Sequence, residues 1–318
     1  MSVVHDPQTL WLIVGVLGFL TTASAVGWLL GRRLEAPGTT DARRKTISNL
    51  NERVRAWWVI VAVCAAALLS GCVGASILFG LASFWALREF VTLTPTRAGD
   101  HRALFWVFFV ITPLQYYLVA TRWYGLFIIL IPVYAFLFIP MRMAITGECE
   151  NFLERAASIQ WGLLVCVYCV SHAPALMTLP FGEYGGARLL LFFLLVVQSS
   201  DVLQYIWGKL LGHHPIAPRV SPNKTWEGFL GGVLSATALG TLLWRATPFN
   251  PWQAAGMSLA ITLLGFAGGL TMSAVKRDRG VKDYGTLIRG HGGVLDRLDS
   301  ICFAAPVFFH LTRYYFTT

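Results

Sequence analysis

Residues 187–207 read ARLLLFFLLVVQSSDVLQYIW. At 1.5 Å of rise per residue, a segment of this length crosses a hydrocarbon layer about 30 Å thick as a helix. The run Leu189 to Val197 is wholly apolar, yet Gln198, Ser199, Ser200, Asp201 and Gln204 follow within the same segment. An ionised aspartate at a helix centre costs roughly 2.5–3.5 kcal/mol on insertion scales. Asp201 therefore either faces a bundle interior or wet cavity, or sits at the interface with its carboxylate reaching water.

The same apolar pattern recurs on both sides of this segment. Runs at about 10–30, 55–71, 73–91, 104–121, 124–143, 158–179, 187–207, 227–246, 252–274 and 300–316 predict an all-α fold, a polytopic transmembrane helical bundle of about ten spans. Composition agrees: 13% of residues are charged, against about 25% in a soluble domain. The stretch from Trp57 to Leu87 is too long for one span and breaks near Ser70–Gly71. The run 10–30 is followed by Arg32 and Arg33 and not by a small-residue cleavage site, so it reads as a retained span. No separate soluble domain or internal repeat is visible. Residues 1–150 read as an N-terminal transmembrane bundle, and 151–318 as a C-terminal transmembrane region that carries the polar chemistry.

The loop charges give an orientation. Loop 31–56 holds seven Lys/Arg against three acids, which places it in the cytoplasm. Alternation then puts 88–103, 143–157, 208–226 and 275–299 on the same side and both termini outward, as in a bacterial inner-membrane protein. The net charge of +9 fits this topology, anionic membrane lipids or an anionic substrate, and no aromatic-basic interleaving points to nucleic acid. Cys166 and Cys169 form a C-x-x-C inside a span, without a second pair or nearby histidines, and read as packing.

Loop 275–299 departs from a pure topology signal. It combines Lys276, Arg277, Arg279, Lys282, Arg289 and Arg297 with Asp278, Asp283, Asp296 and Asp299, and it holds five glycines. Glycines let backbone N–H groups approach an anion, and Lys and Arg donate to phosphate oxygens. Aspartates are hard oxygen ligands for Mg²⁺, which itself bridges phosphates. Asp296 and Asp299, three apart, can project from one helix face. The combination reads as a metal–polyphosphate site; a solvated loop with incidental ion pairs is the alternative. Before it, Ser221-Pro-Asn-Lys-Thr-Trp-Glu-Gly228 opens a helix that Ser221 or Thr225 can cap, with Lys224 beside its N-terminus. Glu227 suits either a first-turn or a catalytic carboxylate. Gly228, Gly231 and Gly232 suit close helix packing. His172 is a packing histidine or a proton relay, and His213 and His214 are surface residues.

These elements resemble the phosphatidate cytidylyltransferases, the CDP-diacylglycerol synthases. That family's C-terminal signature runs S-x-x-K-R-x4-K-D-x-G-x2-I-P-x-H-G-G-x-x-D-R-x-D. Here it reads Ser273, Lys276, Arg277, Lys282, Asp283, Gly285, Ile288, His291, Gly292, Gly293, Asp296, Arg297 and Asp299. The family's S-P-x-K-T-x-E-G matches Ser221, Pro222, Lys224, Thr225, Glu227 and Gly228, and its aspartate before Y-x-x-G matches Asp201, Tyr205 and Gly208. The likeness covers roughly 198–300. It departs where family members carry G-D-x-x-E-S: this chain has Gly268, Gly269, Leu270, Thr271, Met272 and Ser273, and Arg289 replaces a proline. It reads as a divergent branch.

The resemblance implies that CTP and phosphatidate give CDP-diacylglycerol and pyrophosphate. It implies Mg²⁺, with room for a second cation, held by Asp296 with Asp283 or Asp299, while Asp201 completes the metal site or orients a lysine. Lys276, Arg277, Lys282, His291 and Arg297 are then catalytic, and Ser221, Lys224, Thr225, Glu227, Gly292 and Gly293 bind substrate. A homodimer is compatible with it. Two other outcomes stay open: a related enzyme using another lipid acceptor, and a paralogue that holds lipid or nucleotide without turnover.

Overall fold

The computed structural model describes residues 57–287 and 292–317, with ten positions between 13 and 25. Most of the expected span 10–30, and His291, lie outside the described residues. Nine principal helices run through the described part. They are α1 (Trp57–Leu69), α2 (Gly71–Thr92), α3 (Ala98–Ala120), α4 (Tyr124–Ala144), α5 (Phe152–Thr178), α6 (Gly182–Leu211), α7 (Trp226–Leu242), α8 (Pro251–Asp278) and α9 (Leu295–Phe316). Six of them, α2 to α6 and α8, are long and apolar enough to cross a membrane. The chain is an all-α integral membrane protein. Ten runs were read from the sequence; the other four are 10–30, the short α1, the 17-residue α7, and α9, which carries Asp296, Arg297, Asp299 and Arg313.

Local chemistry explains the element boundaries. Helices α1 and α2 part at Ser70 and Gly71, where Gly71 takes φ +72°, a left-handed conformation that costs glycine nothing sterically. Helix α8 opens on a capping box: Gln253 N donates to Asn250 Oδ1 and Asn250 N to Gln253 Oε1, both at 2.9 Å, with Pro251 at the first helical position. Wide turns at Val107–Ile111 and Leu130–Ala135 fall just before Pro113 and around Pro132. A proline has no N–H for the carbonyl one turn back, and a local change of register absorbs the gap.

The membrane-buried candidates outside the signature sit in packed surroundings. His172 donates from Nδ1 to Tyr168 O at 2.8 Å and lies among the rings of Phe127, Tyr168 and Phe309. Cys166 and Cys169 are free thiols. Helices α6 and α7 approach closely through glycine. A Cβ on Gly228 would lie 2.9 Å from Gly208 Cα, and one on Gly232 would lie 2.7 Å from the Gln204 backbone. The small-residue face read from the sequence thus serves helix contact.

Alternation of the helices gathers the ends of α2, α4, α6 and α8 and the starts of α3, α5, α7 and α9 on one face. There Arg155 of α5, fully buried, pairs with Asp100 at the start of α3 (3.3 Å) and donates to Glu148 O (2.8 Å). Between α6 and α7 the loop expected at 208–226 folds into a two-stranded antiparallel hairpin. Its strands are β1 (Pro215–Ala217) and β2 (Ser221–Thr225), with Pro215 opposite Thr225 and Ala217 opposite Ser221.

Candidate active site

Asp201, in the second half of α6, and Asp299, in the second turn of α9, meet at Ser300. The Ser300 hydroxyl donates to Asp201 Oδ2 at 2.8 Å, with Asp299 Oδ1 3.4 Å away, and Ser300 N donates to Asp299 Oδ1 at 2.8 Å. The two carboxylates act on each other as like charges, Lys224 and Arg297 oppose both as cations, and Lys276 from the neighbouring cluster acts on Asp299 as well. Strand β2 carries Lys224 into this space. Burial pulls its ammonium below the usual lysine value, and Asp299 and Asp201 pull it back. Its Nζ lies 4.8 Å from the centre of the Phe266 ring. Arg297 Nε is buried with no hydrogen-bond partner among the described residues, a donor available to an anion.

Gly269 opens onto the same space. A Cβ there would stand 2.9 Å from Lys224 Nζ and 3.9 Å from Asp299 Oδ2. A lysine ammonium thus stands where a side chain at 269 would begin, and positive charge reaches the neighbouring carboxylates from the protein itself.

Asp296 belongs to a different cluster. Lys276 Nζ donates to its Oδ1 at 2.8 Å, and the backbone N–H groups of Tyr284 and Gly293 donate to its Oδ2 at 2.9 Å each. The pair is buried, with side-chain exposures of 11% for Lys276 and 4% for Asp296. Both carboxylate oxygens are engaged by the protein, so Asp296 serves here as a knot that ties α8, Tyr284, Gly293 and α9 together. Tyr284 OH donates to Met272 O at 3.0 Å, and burial pushes its phenol well above the ordinary value, so it remains a donor. Gly292 adopts φ +79°, and a Cβ on it would lie 2.8 Å from Asp296 Oδ2.

The remaining candidates divide. Lys282 and Asp283 are exposed. Arg277 is a strut, donating from Nε to Val220 O (3.2 Å) and from Nη1 to Val281 O (2.9 Å), which joins the hairpin to the end of α8. Thr225 caps α7 by accepting from Gly228 N at 3.2 Å, and Ser221 starts β2. Glu227 pairs with the His214 ring and accepts from the N–H groups of His213 (3.2 Å) and His214 (3.3 Å). The four aspartates expected to share a metal therefore form no single cluster. Among the described residues no three His, Cys, Asp or Glu side chains gather around one point.

Sequence reasoning passed over Ser300, Tyr284 and Glu89. Glu89, near the end of α2, accepts from Val294 N and Leu295 N. Its signal was present, since an acid inside an apolar run carries the same cost that singled out Asp201.

Asp201, Asp299 and the Ser300 hydroxyl form a hard oxygen set, and Mg²⁺ commonly binds through one or two carboxylates plus substrate phosphates. The donor chemistry therefore fits Mg²⁺ at this pair. Lys224 and Arg297 on the same space fit phosphate oxygens.

Comparison with known proteins places this geometry. Residues 51–315 match the sequence pattern of the cytidylyltransferase family. The chain is 42% identical over 268 residues to the uncharacterized protein YnbB of Escherichia coli strain K12, covering 82% of this chain and 87% of that one. It is 39% identical over 169 residues to the phosphatidate cytidylyltransferase of Mycobacterium leprae, covering 52% of this chain and 53% of that one. With the phosphatidate cytidylyltransferase of Staphylococcus aureus strain COL it shares 40% identity over 124 residues, 38% of this chain and 48% of the other. The match thus spans about half the length of the relatives named for an activity. The family pattern runs from the residues before α1 to the end of α9 and encloses every side chain of the polar site, and the chain belongs to the cytidylyltransferase family.

Proposed function

We propose that the chain transfers the cytidylyl group of CTP to phosphatidate, giving CDP-diacylglycerol and pyrophosphate, at a site on the cytoplasmic face of the bacterial inner membrane. The observation that carries this reading is the meeting of Asp201 and Asp299 at Ser300 with the Lys224 ammonium beside them. In the reaction a phosphatidate oxygen bonds to the α-phosphorus of CTP, the bond from that phosphorus to the α–β bridging oxygen breaks, and pyrophosphate leaves. Two polyanions must be brought together in line, so the protein's part is positioning and charge neutralisation, not a covalent nucleophile. Lys224 and Arg297 bind the phosphates; Asp201 and Asp299, with Ser300, would hold Mg²⁺, which when bound supplies positive charge to the triphosphate. The lipid reaches the site sideways between helices.

The test is turnover of labelled CTP by the detergent-purified protein with phosphatidate and Mg²⁺. Labelled CDP-diacylglycerol with one pyrophosphate per product is expected. Product only from another lipid phosphate or a polyprenyl alcohol overturns the acceptor. The glycine at position 269 favours a second reading, a paralogue that holds nucleotide without chemistry. CTP binding without product from any acceptor establishes that reading.

Orientation has its own check. Cys149 is the exposed thiol between α4 and α5, on the face that carries the site. It is expected to react with a membrane-impermeant maleimide in inverted vesicles and not in intact cells; the reverse pattern overturns the cytoplasmic placement.

A further inference from the structure

Glu89 lies one turn before the end of α2 and is buried, at 8% exposure. Its carboxylate reaches across some two hundred residues of sequence. Oε1 accepts from Val294 N at 3.0 Å and Oε2 from Leu295 N at 2.9 Å. Leu295 is the first residue of α9, so the carboxylate meets the positive end of that helix, where free N–H groups favour a negative charge. Two glycines of the signature make the approach possible. A Cβ on Gly285 would stand 2.6 Å from Glu89 Oε1, and one on Gly293 would stand 2.3 Å from Oε2. The spacing of these glycines thus has a physical cause outside the signature: they admit a side chain from the N-terminal bundle.

The neighbouring amides are consumed in the same manner. Asp296 Oδ2 takes the N–H groups of Gly293 and Tyr284. Three successive amides, 293 to 295, therefore all point at carboxylates of the protein and at no external anion. The start of α9 is in this respect unlike a phosphate-binding helix terminus. Its own side chains already fill that role, and the phosphates of a substrate fall to Lys224 and Arg297. What the two carboxylates do is fix the loop and the first turn of α9 from two sides. Arg297 stands later in that same first turn and Asp299 opens the second, so the placing of both follows from how the start of the helix is set.

We infer that Glu89 is a positioning residue for cytidylyl transfer, locking the start of α9 so that Arg297 and Asp299 face the reacting phosphates. The inference rests on the reaction proposed above. Glu89→Gln keeps the size of the side chain but places an NH₂ group against one backbone N–H. Residues that orient a first layer of ligands typically carry about 10–100-fold in activity. In Glu89→Gln, kcat is expected to fall by about that factor, while KM for CTP and for phosphatidate moves by less than about threefold. Glu89→Asp, one methylene short but still a carboxylate, is expected to recover part of the lost kcat.

A second measurement needs no turnover. Hydrogen exchange in detergent is expected to quicken in the peptide spanning 284–300 of Glu89→Gln and to stay unchanged in α6 and the apolar stretch of α8. Normal exchange at 284–300 overturns the clamp whether or not the protein is an enzyme. Faster exchange throughout overturns the positioning role in favour of general stability, as does a kcat unchanged from wild type. A wild-type protein that makes no product while the exchange result holds overturns the reaction alone.

Discussion

Asp299→Asn is expected to lower CDP-diacylglycerol formation by about 10²–10³-fold, the range seen when one preorganised charge or donor is removed from a transition state. The substitution is isosteric. The asparagine Oδ1 can still accept from Ser300 N, which Asp299 Oδ1 does now at 2.8 Å, so the local fold has no reason to change. What disappears is one of the two negative charges that hold Lys224 and that would hold a divalent ion. Asp201→Asn is expected to act alike, because the two carboxylates share Ser300 and the same cations. Residues that act as a unit are not additive, so the double variant is expected to be little worse than either single one. The measurement is kcat/KM for labelled CTP with phosphatidate and Mg²⁺, set beside the melting temperature. A single variant with wild-type turnover removes the pair from the reaction, and effects that simply multiply in the double variant show that the two do not act together.

How much of this was legible beforehand depends on the range of the interaction. Apolar runs are a local property, and α2 to α6 and α8 fall where hydropathy put them. The break at Gly71 was legible for the same reason, since its cause is a run too long for one span followed by a residue free to take positive φ. The candidates were legible separately, Asp299 and Arg297 from charge and glycine in one loop, Asp201 from the cost of an acid in an apolar run and Lys224 from its place before a helix. The partition of that set was not. Asp296 and Asp299 are three apart on one helix, and spacing alone makes them equivalent. Only the approach of Lys276 and of two backbone N–H groups assigns Asp296 to the interior knot and leaves Asp299 to Asp201. Glu89 was visible as an acid in an apolar run, but its role was not. Its partners lie 205 and 206 residues away, and nothing within α2 announces them.

The second large effect tests that partition on stability. Lys276 and Asp296 are a buried ion pair with a contact of 2.8 Å. Removing one member of such a pair leaves an uncompensated charge in the interior, a loss of about 3–5 kcal/mol. Lys276→Met strands the Asp296 carboxylate with two amide donors and no cation. Asp296→Asn is the more informative change. Its Oδ1 can replace Oδ2 as acceptor from Tyr284 N and Gly293 N, but its NH₂ group then faces the Lys276 ammonium, donor against charge. Joining the two substitutions removes this conflict, because the methionine makes no demand on the asparagine. The double variant is therefore expected to melt above Asp296→Asn alone, with a coupling of about 0.5–3 kcal/mol between the two sites. Thermal unfolding of the four proteins in one detergent, followed by the loss of the folded-protein signal, gives the cycle. If instead Asp296→Asn melts like wild type and loses all turnover, Asp296 is a ligand and not a knot. Its contact with Lys276 would then be the resting arrangement of a side chain that works elsewhere, and the count of carboxylates available to a cation would rise from two to three.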